Sequence, residues 1–63
     1  MRMENETIEQ YSERILGDRL RSIRRLESGV WAAYSDAPFF EMAPTIEGAL
    51  HLLQLTLQQN KKL

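Results

Sequence analysis

The sequence predicts an all-α protein that folds as an antiparallel helical hairpin. A long helix is expected over about residues 6–35, an aromatic turn over 36–44 and a shorter helix over about 45–60. Three observations support this fold class. Apolar residues recur every three or four positions in the first segment. Pro38 and Pro44 lie in the connection, where proline interrupts helical hydrogen bonding. Leucine and glutamine, which favour helices, fill the last segment.

The first predicted helix has a start signal and one apolar side. Thr7 and Gln10 have the spacing of a capping box, and Asn5 is an alternative cap. At about 100° per residue, the apolar positions form a single stripe that is wide and drifts along the helix. They are Ile8, Tyr11, Ile15, Leu16, Leu20, Ile23, Leu26, Val30, Ala33 and Tyr34.

Two glycines weaken this helix. Gly17 lies on its polar side and costs about 1 kcal/mol relative to alanine. Gly29 closely follows two arginines, and basic residues in a last turn followed by glycine are typical of a helix end. Because the apolar stripe continues to Tyr34, we expect one continuous helix, with a break or kink at Gly29 as the alternative.

The predicted turn carries apolar residues that are unusual in an exposed loop. Pro38 ends the first helix because proline cannot continue the hydrogen-bond ladder. Phe39, Phe40 and Met42 follow it, and we expect the loop that contains them to fold back over the core.

The second predicted helix begins with Thr45 as its cap and Glu47 near its positive end. Leu52 and Leu55 lie away from its apolar stripe and need a second surface. Residues 53–58 also alternate between apolar and polar side chains, so a strand is the alternative interpretation of this stretch. The stripe itself consists of Ile46, Ala49, Leu50, Leu53 and Leu57.

The chain is expected to be one domain, residues 1–63, with frayed ends at 1–5 and 61–63. A single core of this size rarely supplies more than about 3–5 kcal/mol, and the chain has no cysteine for disulfides. The helices also differ in length, about 43 and 24 Å at ~1.5 Å per residue. A homodimer that forms a four-helix bundle would cover the remaining apolar surface. The expected dimer and core residues are Ile8, Tyr11, Ile15, Leu20, Ile23, Leu50, Leu53 and Leu57.

Seven residues are candidates for binding a partner protein. They are Arg19, Arg21, Arg24, Arg25, Trp31, Leu52 and Leu55. Arg21, Arg24 and Arg25 would share one helical face, where guanidinium groups grip carboxylates or phosphates. An ordinary solvated face is the competing interpretation. Arg19 falls near the centre of the apolar stripe, where it must snorkel, pair with a carboxylate of another chain or mark a seam that stays open. Trp31 falls at the edge of the stripe.

The composition favours a binding protein over an enzyme. The sequence has no cysteine, no glycine-rich phosphate loop and no Ser/His/Asp set at a recognisable spacing. Glu47 and His51 lie one helical turn apart, but a lone histidine is typical of a surface group, so we expect no cofactor and no metal. The sequence also lacks a secretory signal and a run of about 20 apolar residues, so we expect a soluble cytoplasmic protein without a membrane partner.

We therefore expect a small regulator or adaptor that binds an unidentified protein and changes its activity or assembly. The first alternative is a homodimer that binds nucleic acid through Arg21, Arg24 and Arg25. The net charge of −1 and the glutamates near these arginines weaken that hypothesis because they repel phosphate. The second alternative is a structural subunit that becomes ordered only within a larger assembly.

Overall fold

The chain folds as a three-stranded antiparallel sheet with two helices. A computed structural model describes residues 3–36 and 39–60. Its elements, in chain order, are α1 (Ile8–Ile15), a 3-10 helix (Gly17–Arg19), β1 (Ser22–Arg25), β2 (Trp31–Tyr34), β3 (Phe40–Ala43) and α2 (Ile46–Asn60). The strands pair in the order β1-β2-β3. The predicted all-α helical hairpin is therefore wrong, and so is the four-helix bundle built from it.

The long first helix fails at its two glycines. α1 ends at Ile15, and the backbone φ angles of Gly17 and Gly29 are 55° and 90°, values that a right-handed helix cannot contain. The N–H of Leu26 donates to the carbonyl of Val30 at 2.8 Å, and the N–H of Gly29 donates to the carbonyl of Leu26 at 2.9 Å. The break considered at Gly29 is thus a tight turn between two strands.

Two short strands produce the helical periodicity that the sequence shows between residues 20 and 34. Each strand has only four residues, so the alternation of side chains that identifies a strand repeats only twice in it. Ile23 and Ala33 fit a helical stripe in the sequence, but in the sheet they are direct cross-strand neighbours. Leu26 and Val30, which complete the apparent stripe, lie at the turn that joins the two strands.

The sheet has two faces because successive side chains of a strand point to opposite sides. The register pairs Ala32 of β2 with Arg24 of β1 and with Met42 of β3, so these three residues share one face. The inner face, against which α2 packs, carries Ile23, Arg25, Trp31, Ala33, Glu41 and Ala43. The outer face carries Ser22, Arg24, Ala32, Tyr34, Phe40 and Met42, and none of these six residues belongs to the core cluster.

The core lies between the inner face of the sheet and the helices. α2 packs across β2 and β3, and α1 packs against α2. Tyr11, Leu50 and Leu53 are the largest fully buried side chains among the described residues. The buried cluster consists of Tyr11, Leu16, Ala33, Ala43, Ala49, Leu50, Leu53 and Leu57. Four further residues that the sequence predicted in the core are half-buried against this cluster: Ile8, Ile15, Leu20 and Ile23.

Local signals at the starts of both helices are confirmed. Thr7 caps α1, its hydroxyl accepts from the N–H of Gln10, and the Gln10 side chain accepts from the N–H of Thr7. The Thr45 hydroxyl accepts from the N–H of Gly48 at 3.0 Å at the start of α2. Residues 53–58 are helical, so the strand interpretation of this stretch is wrong.

The predictions for the chain ends and for the turn are only partly covered by the structure. Residues 3–5 were expected to be frayed, and the N–H of Glu6 donates to the carbonyl of Met3 at 3.0 Å in a hydrogen-bonded turn. The predicted fraying at residues 1–2 and 61–63, and the helix stop at Pro38, lie outside the described residues.

Candidate interaction surface

The outer face of the sheet carries an apolar patch on its β3 side. Phe40 and Met42 are each 47% exposed, although both are large apolar residues in a strand. The ring of Tyr34 stacks on the ring of Phe40, with centroids 5.8 Å apart and planes inclined by 24°. Cross-strand pairing places Ala32 beside Met42. Ala32 itself is fully buried, so Tyr34, Phe40 and Met42 provide the exposed surface that we call the apolar patch.

The β1 side of the same face is polar and basic. Ser22 and Arg24 lie opposite Tyr34 and Ala32, and both are exposed. Arg24 and Arg25 form no ion pair with another residue in the described ranges. The outer face therefore changes from basic at β1 to apolar at β3.

β3 is an edge strand with hydrogen-bonding groups directed away from the sheet. The N–H of Ser35 donates to the carbonyl of Phe39 at 3.0 Å, which makes these two residues a hydrogen-bonded pair. Such pairs alternate along an antiparallel ladder, so Ala33 with Glu41 is the next one. It follows that the N–H and C=O groups of Phe40 and Met42 point outward, and none of the described strands pairs with them.

A carboxylate lies on the helix side of this edge. Glu41 Oε2 accepts a hydrogen bond from the Thr56 hydroxyl at 2.6 Å, which links β3 to α2. Leu52 precedes Thr56 by one helical turn and therefore lies on the same flank of α2. Leu52 is 39% exposed. The β3 edge is thus bordered by the apolar patch on one side, and by Glu41 and Leu52 on the other.

The arginines predicted to share one helical face are separated in the structure. Arg24 and Arg25 are consecutive residues of β1 and therefore point to opposite faces of the sheet. Arg21 precedes β1 and pairs with Asp36, with Nε and Oδ1 2.6 Å apart and both side chains largely exposed. Arg19 lies in the 3-10 helix and is exposed, not at the centre of an apolar stripe. The common helical face does not exist because helix α1 ends before these residues.

The other predicted partner-binding residues have different environments. Trp31 is half-buried, packs against the core cluster and pairs with Ala43 across the strands. Leu55 is 40% exposed and lies on the side of α2 opposite the core. Leu52 alone of the three borders the β3 edge.

Sequence reasoning missed the residues that form the apolar patch. It placed Phe39, Phe40 and Met42 together in a loop folded over the core, but only Phe39 packs against the core cluster. Phe40 and Met42 point the other way because residues 40–43 form a strand. The signal was present in Phe40-Glu41-Met42, where apolar and charged residues alternate immediately after a turn.

Residues that could bind a metal ion are not clustered in the described ranges. No group of three or more His, Cys, Asp or Glu residues in these ranges is placed to hold a metal ion. Tyr11 Oη and His51 Nδ1 are buried without a hydrogen-bond partner among the described residues. Burial, and secondarily the charge of Glu47, raises the pKa of Tyr11. The hydrogen bonds that Arg14 donates to the Glu6 carboxylate raise the pKa of Arg14. Both groups therefore keep their ordinary neutral-pH forms, which suit a structural role.

Comparisons with protein-family models, with curated proteins and with solved structures found no significant match to this chain. None of the described helices combines the length and the apolar character needed to cross a membrane.

Proposed function

We propose that this protein is a non-enzymatic regulator or adaptor that binds another polypeptide through the outer face of its sheet. The observation that supports the proposal most is the pair of large apolar side chains at Phe40 and Met42, each 47% exposed and adjacent on one face. Contiguous apolar surface with a polar margin is typical of protein-binding sites.

The energy available from this surface is appropriate for a reversible complex. Complete burial of a Phe or Met side chain contributes about 1.5–3 kcal/mol, so burial of the exposed halves of Phe40 and Met42 contributes about 1.5–3 kcal/mol together. Arg24 at the margin adds hydrogen-bond donors for carboxylates or carbonyl groups of a partner. A complex of ordinary affinity would need these contacts together with backbone hydrogen bonds.

Nucleic acid is the second candidate ligand. The rings of Tyr34 and Phe40 lie on a sheet face that also carries Arg24, and aromatic rings on sheets are used to stack unpaired bases. These two rings stack on each other, however, and the net charge of the chain is −1, so the surface favours a polypeptide. The predicted homodimer and the structural-subunit alternative stay predictions. A cytoplasmic location is part of the proposal, and the absence of cysteine from the sequence is compatible with it.

The proposal is tested by affinity capture from native lysate with matched variants. The test variant combines Phe40→Thr with Met42→Thr, which removes the apolar patch but retains residues that favour strands. The control is Leu55→Thr, which removes an apolar side chain of similar exposure from the far side of α2. Circular dichroism should show that both variants retain the fold.

We expect wild type and Leu55→Thr to capture the same proteins in the presence of nuclease, and the double variant to lose them. Equal capture by the folded double variant would contradict the proposal. Capture that disappears on nuclease treatment and falls steeply with salt would instead favour the nucleic-acid function.

A further inference from the structure

We infer that the partner contributes an extended segment that pairs with β3 as a fourth strand, and that this segment carries a basic residue between two apolar residues. The inference rests on the proposed function and specifies how the partner is held. It rests on three observations. The backbone groups of Phe40 and Met42 point outward, and the side chains of the same two residues are exposed. The carboxylate of Glu41, the residue between them in sequence, lies on the opposite, helix side of the sheet.

The backbone provides the first part of the site. Ser35, just after β2, and Phe39, just before β3, form a hydrogen-bonded pair. Because such pairs alternate along the ladder, Glu41 bonds to β2, whereas the N–H and C=O groups of Phe40 and Met42 point outward. An added strand accepts from their two N–H groups and donates to their two carbonyl groups. Extended peptides bind many domains in this way, with main-chain bonds supplying affinity and side chains supplying specificity.

The two edges of the sheet are not equivalent. β1 carries Arg24 and Arg25 in succession, and charged side chains on an edge discourage pairing with another strand. β3 carries only one charged residue, Glu41, and the Thr56 hydroxyl bonds to its carboxylate on the helix side. β3 is therefore the edge at which strand addition is favourable.

Side chains around the β3 edge define the sequence that fits. Partner residues opposite Phe40 and Met42 point to the outer face, where apolar side chains extend the apolar patch. The partner residue between them points to the helix side, beside Glu41. A lysine or arginine there forms a cross-strand pair with the carboxylate, and its aliphatic stem can lie along Leu52.

A second copy of this chain fits the same edge poorly. Antiparallel self-pairing that satisfies both residues places Phe40 of one copy opposite Met42 of the other. That register brings the two Glu41 side chains directly opposite each other, and like charges in this arrangement are destabilising. A shift of two residues in one direction places Pro44 opposite Phe40, and proline has no N–H to donate. A shift in the other direction leaves Met42 without a partner residue inside β3. The occupant is therefore a different polypeptide.

The test is a titration of the whole ¹⁵N-labelled protein with short synthetic peptides, followed by amide chemical shifts. The parent peptide has valine, lysine and valine at its centre, flanked by serine and threonine. In one derivative the valine nitrogens are methylated, which removes the N–H groups that face β3. In the control derivative only the lysine nitrogen is methylated, and its N–H points away from β3. A fourth peptide replaces the lysine with glutamate.

The parent peptide should shift the Phe40 and Met42 amides, and the lysine-methylated control should do the same. Methylation of the valines should abolish the shifts. Replacement of lysine by glutamate should weaken binding about five- to tenfold. Glu41→Lys in the protein should reverse this preference, and Glu41→Gln, which keeps an acceptor for Thr56, should remove most of it.

Different experimental results would show that strand addition at β3 is wrong and that the proposed function is wrong. If the parent peptide leaves the β3 amides unshifted, or shifts Ile23 and Arg25 instead, strand addition at β3 is wrong. A dimer that sedimentation shows for the wild type and not for the Phe40→Thr and Met42→Thr double variant would also overturn it. If capture from lysate still depends on Phe40 and Met42, the proposed function stands with another binding mode. If capture is independent of them, both proposals fail.

Discussion

The environment of Tyr11 makes its hydroxyl harder to ionise in the folded protein than in the unfolded chain. It is fully buried in the core, its ring lies 5.4 Å from the Arg14 guanidinium carbon, and its hydroxyl has no hydrogen-bond partner among the described residues. Burial raises its pKa above the ordinary value of 10.0, and the nearby Glu47 carboxylate raises it further. The folded protein therefore favours the neutral phenol.

The first prediction concerns Tyr11→Phe. Below pH 10 the hydroxyl is neutral in the folded and unfolded chains, so it adds no pH dependence. Above pH 10 the unfolded chain loses this proton first, so the free energy of unfolding of the wild type should fall as pH rises toward the raised folded pKa. Tyr11→Phe should lack this contribution. At neutral pH the variant should be within about 1 kcal/mol of wild type or slightly more stable, because the removed hydroxyl has no partner.

Urea unfolding of wild type and Tyr11→Phe at about pH 8 and about pH 11 measures both effects. The difference between the two proteins isolates Tyr11 from lysines that titrate in the same range. An equal loss of stability in both proteins at high pH would contradict the assignment.

The turn between β1 and β2 joins these two strands as antiparallel neighbours. Gly29 has a φ of 90°, and the hydrogen bonds of Leu26 with Val30 and Gly29 close the turn. A methyl group at Gly29 would meet no atom within 4 Å, so space does not require glycine here. The backbone conformation requires it, because L residues are strained at this φ.

The second prediction is that Gly29→Ala lowers the free energy of unfolding by about 1–2 kcal/mol. Ser28→Ala, at the neighbouring exposed turn position, should change it by less than about 0.5 kcal/mol. Chemical unfolding followed by circular dichroism compares the two variants. A stability of Gly29→Ala equal to that of wild type would mean that the turn adopts another conformation.

The third prediction concerns the small hydrophobic core and its dependence on Leu53. Leu53 is fully buried between α2 and the sheet, whereas Leu55 on the same helix is 40% exposed. Leu53→Ala should cost about 2–5 kcal/mol, most of the stability that a domain of this size has. Leu55→Ala should cost less than about 1 kcal/mol. Thermal unfolding of both variants measures this difference, and equal melting temperatures would show that the core is not organised around Leu53.

Local patterns predicted the parts of the fold that depend on neighbours in the chain. The capping box at Thr7 and Gln10 and the cap at Thr45 were correct because they involve residues three positions apart. The apolar stripe of α2 was also visible, since a helix of 15 residues repeats its pattern several times. The same periodicity predicted that Leu52 and Leu55 lie outside the core, and both are exposed.

The strands were not predictable from local patterns because their evidence is nonlocal. The four residues of β1 become a strand by pairing with residues 31–34, and those residues pair again with β3. The sides to which Phe40 and Met42 point depend on this register, because a shift of one residue reverses every side chain of a strand. The candidate binding surface was therefore hidden, although the alternation of Phe40, Glu41 and Met42 was visible.

The sequence by itself determined where both helices begin and which leucines of α2 form its buried stripe. Only the tertiary structure decided that the first helix ends before Gly17 and that β1, β2 and β3 form a sheet. It also decided that Arg24 and Arg25 point apart and that β3 presents Phe40 and Met42 at an edge. Helix starts and helical stripes depend on residues within a few positions of each other. Strand pairing depends on contacts between distant segments, and a four-residue strand carries too little pattern to specify them.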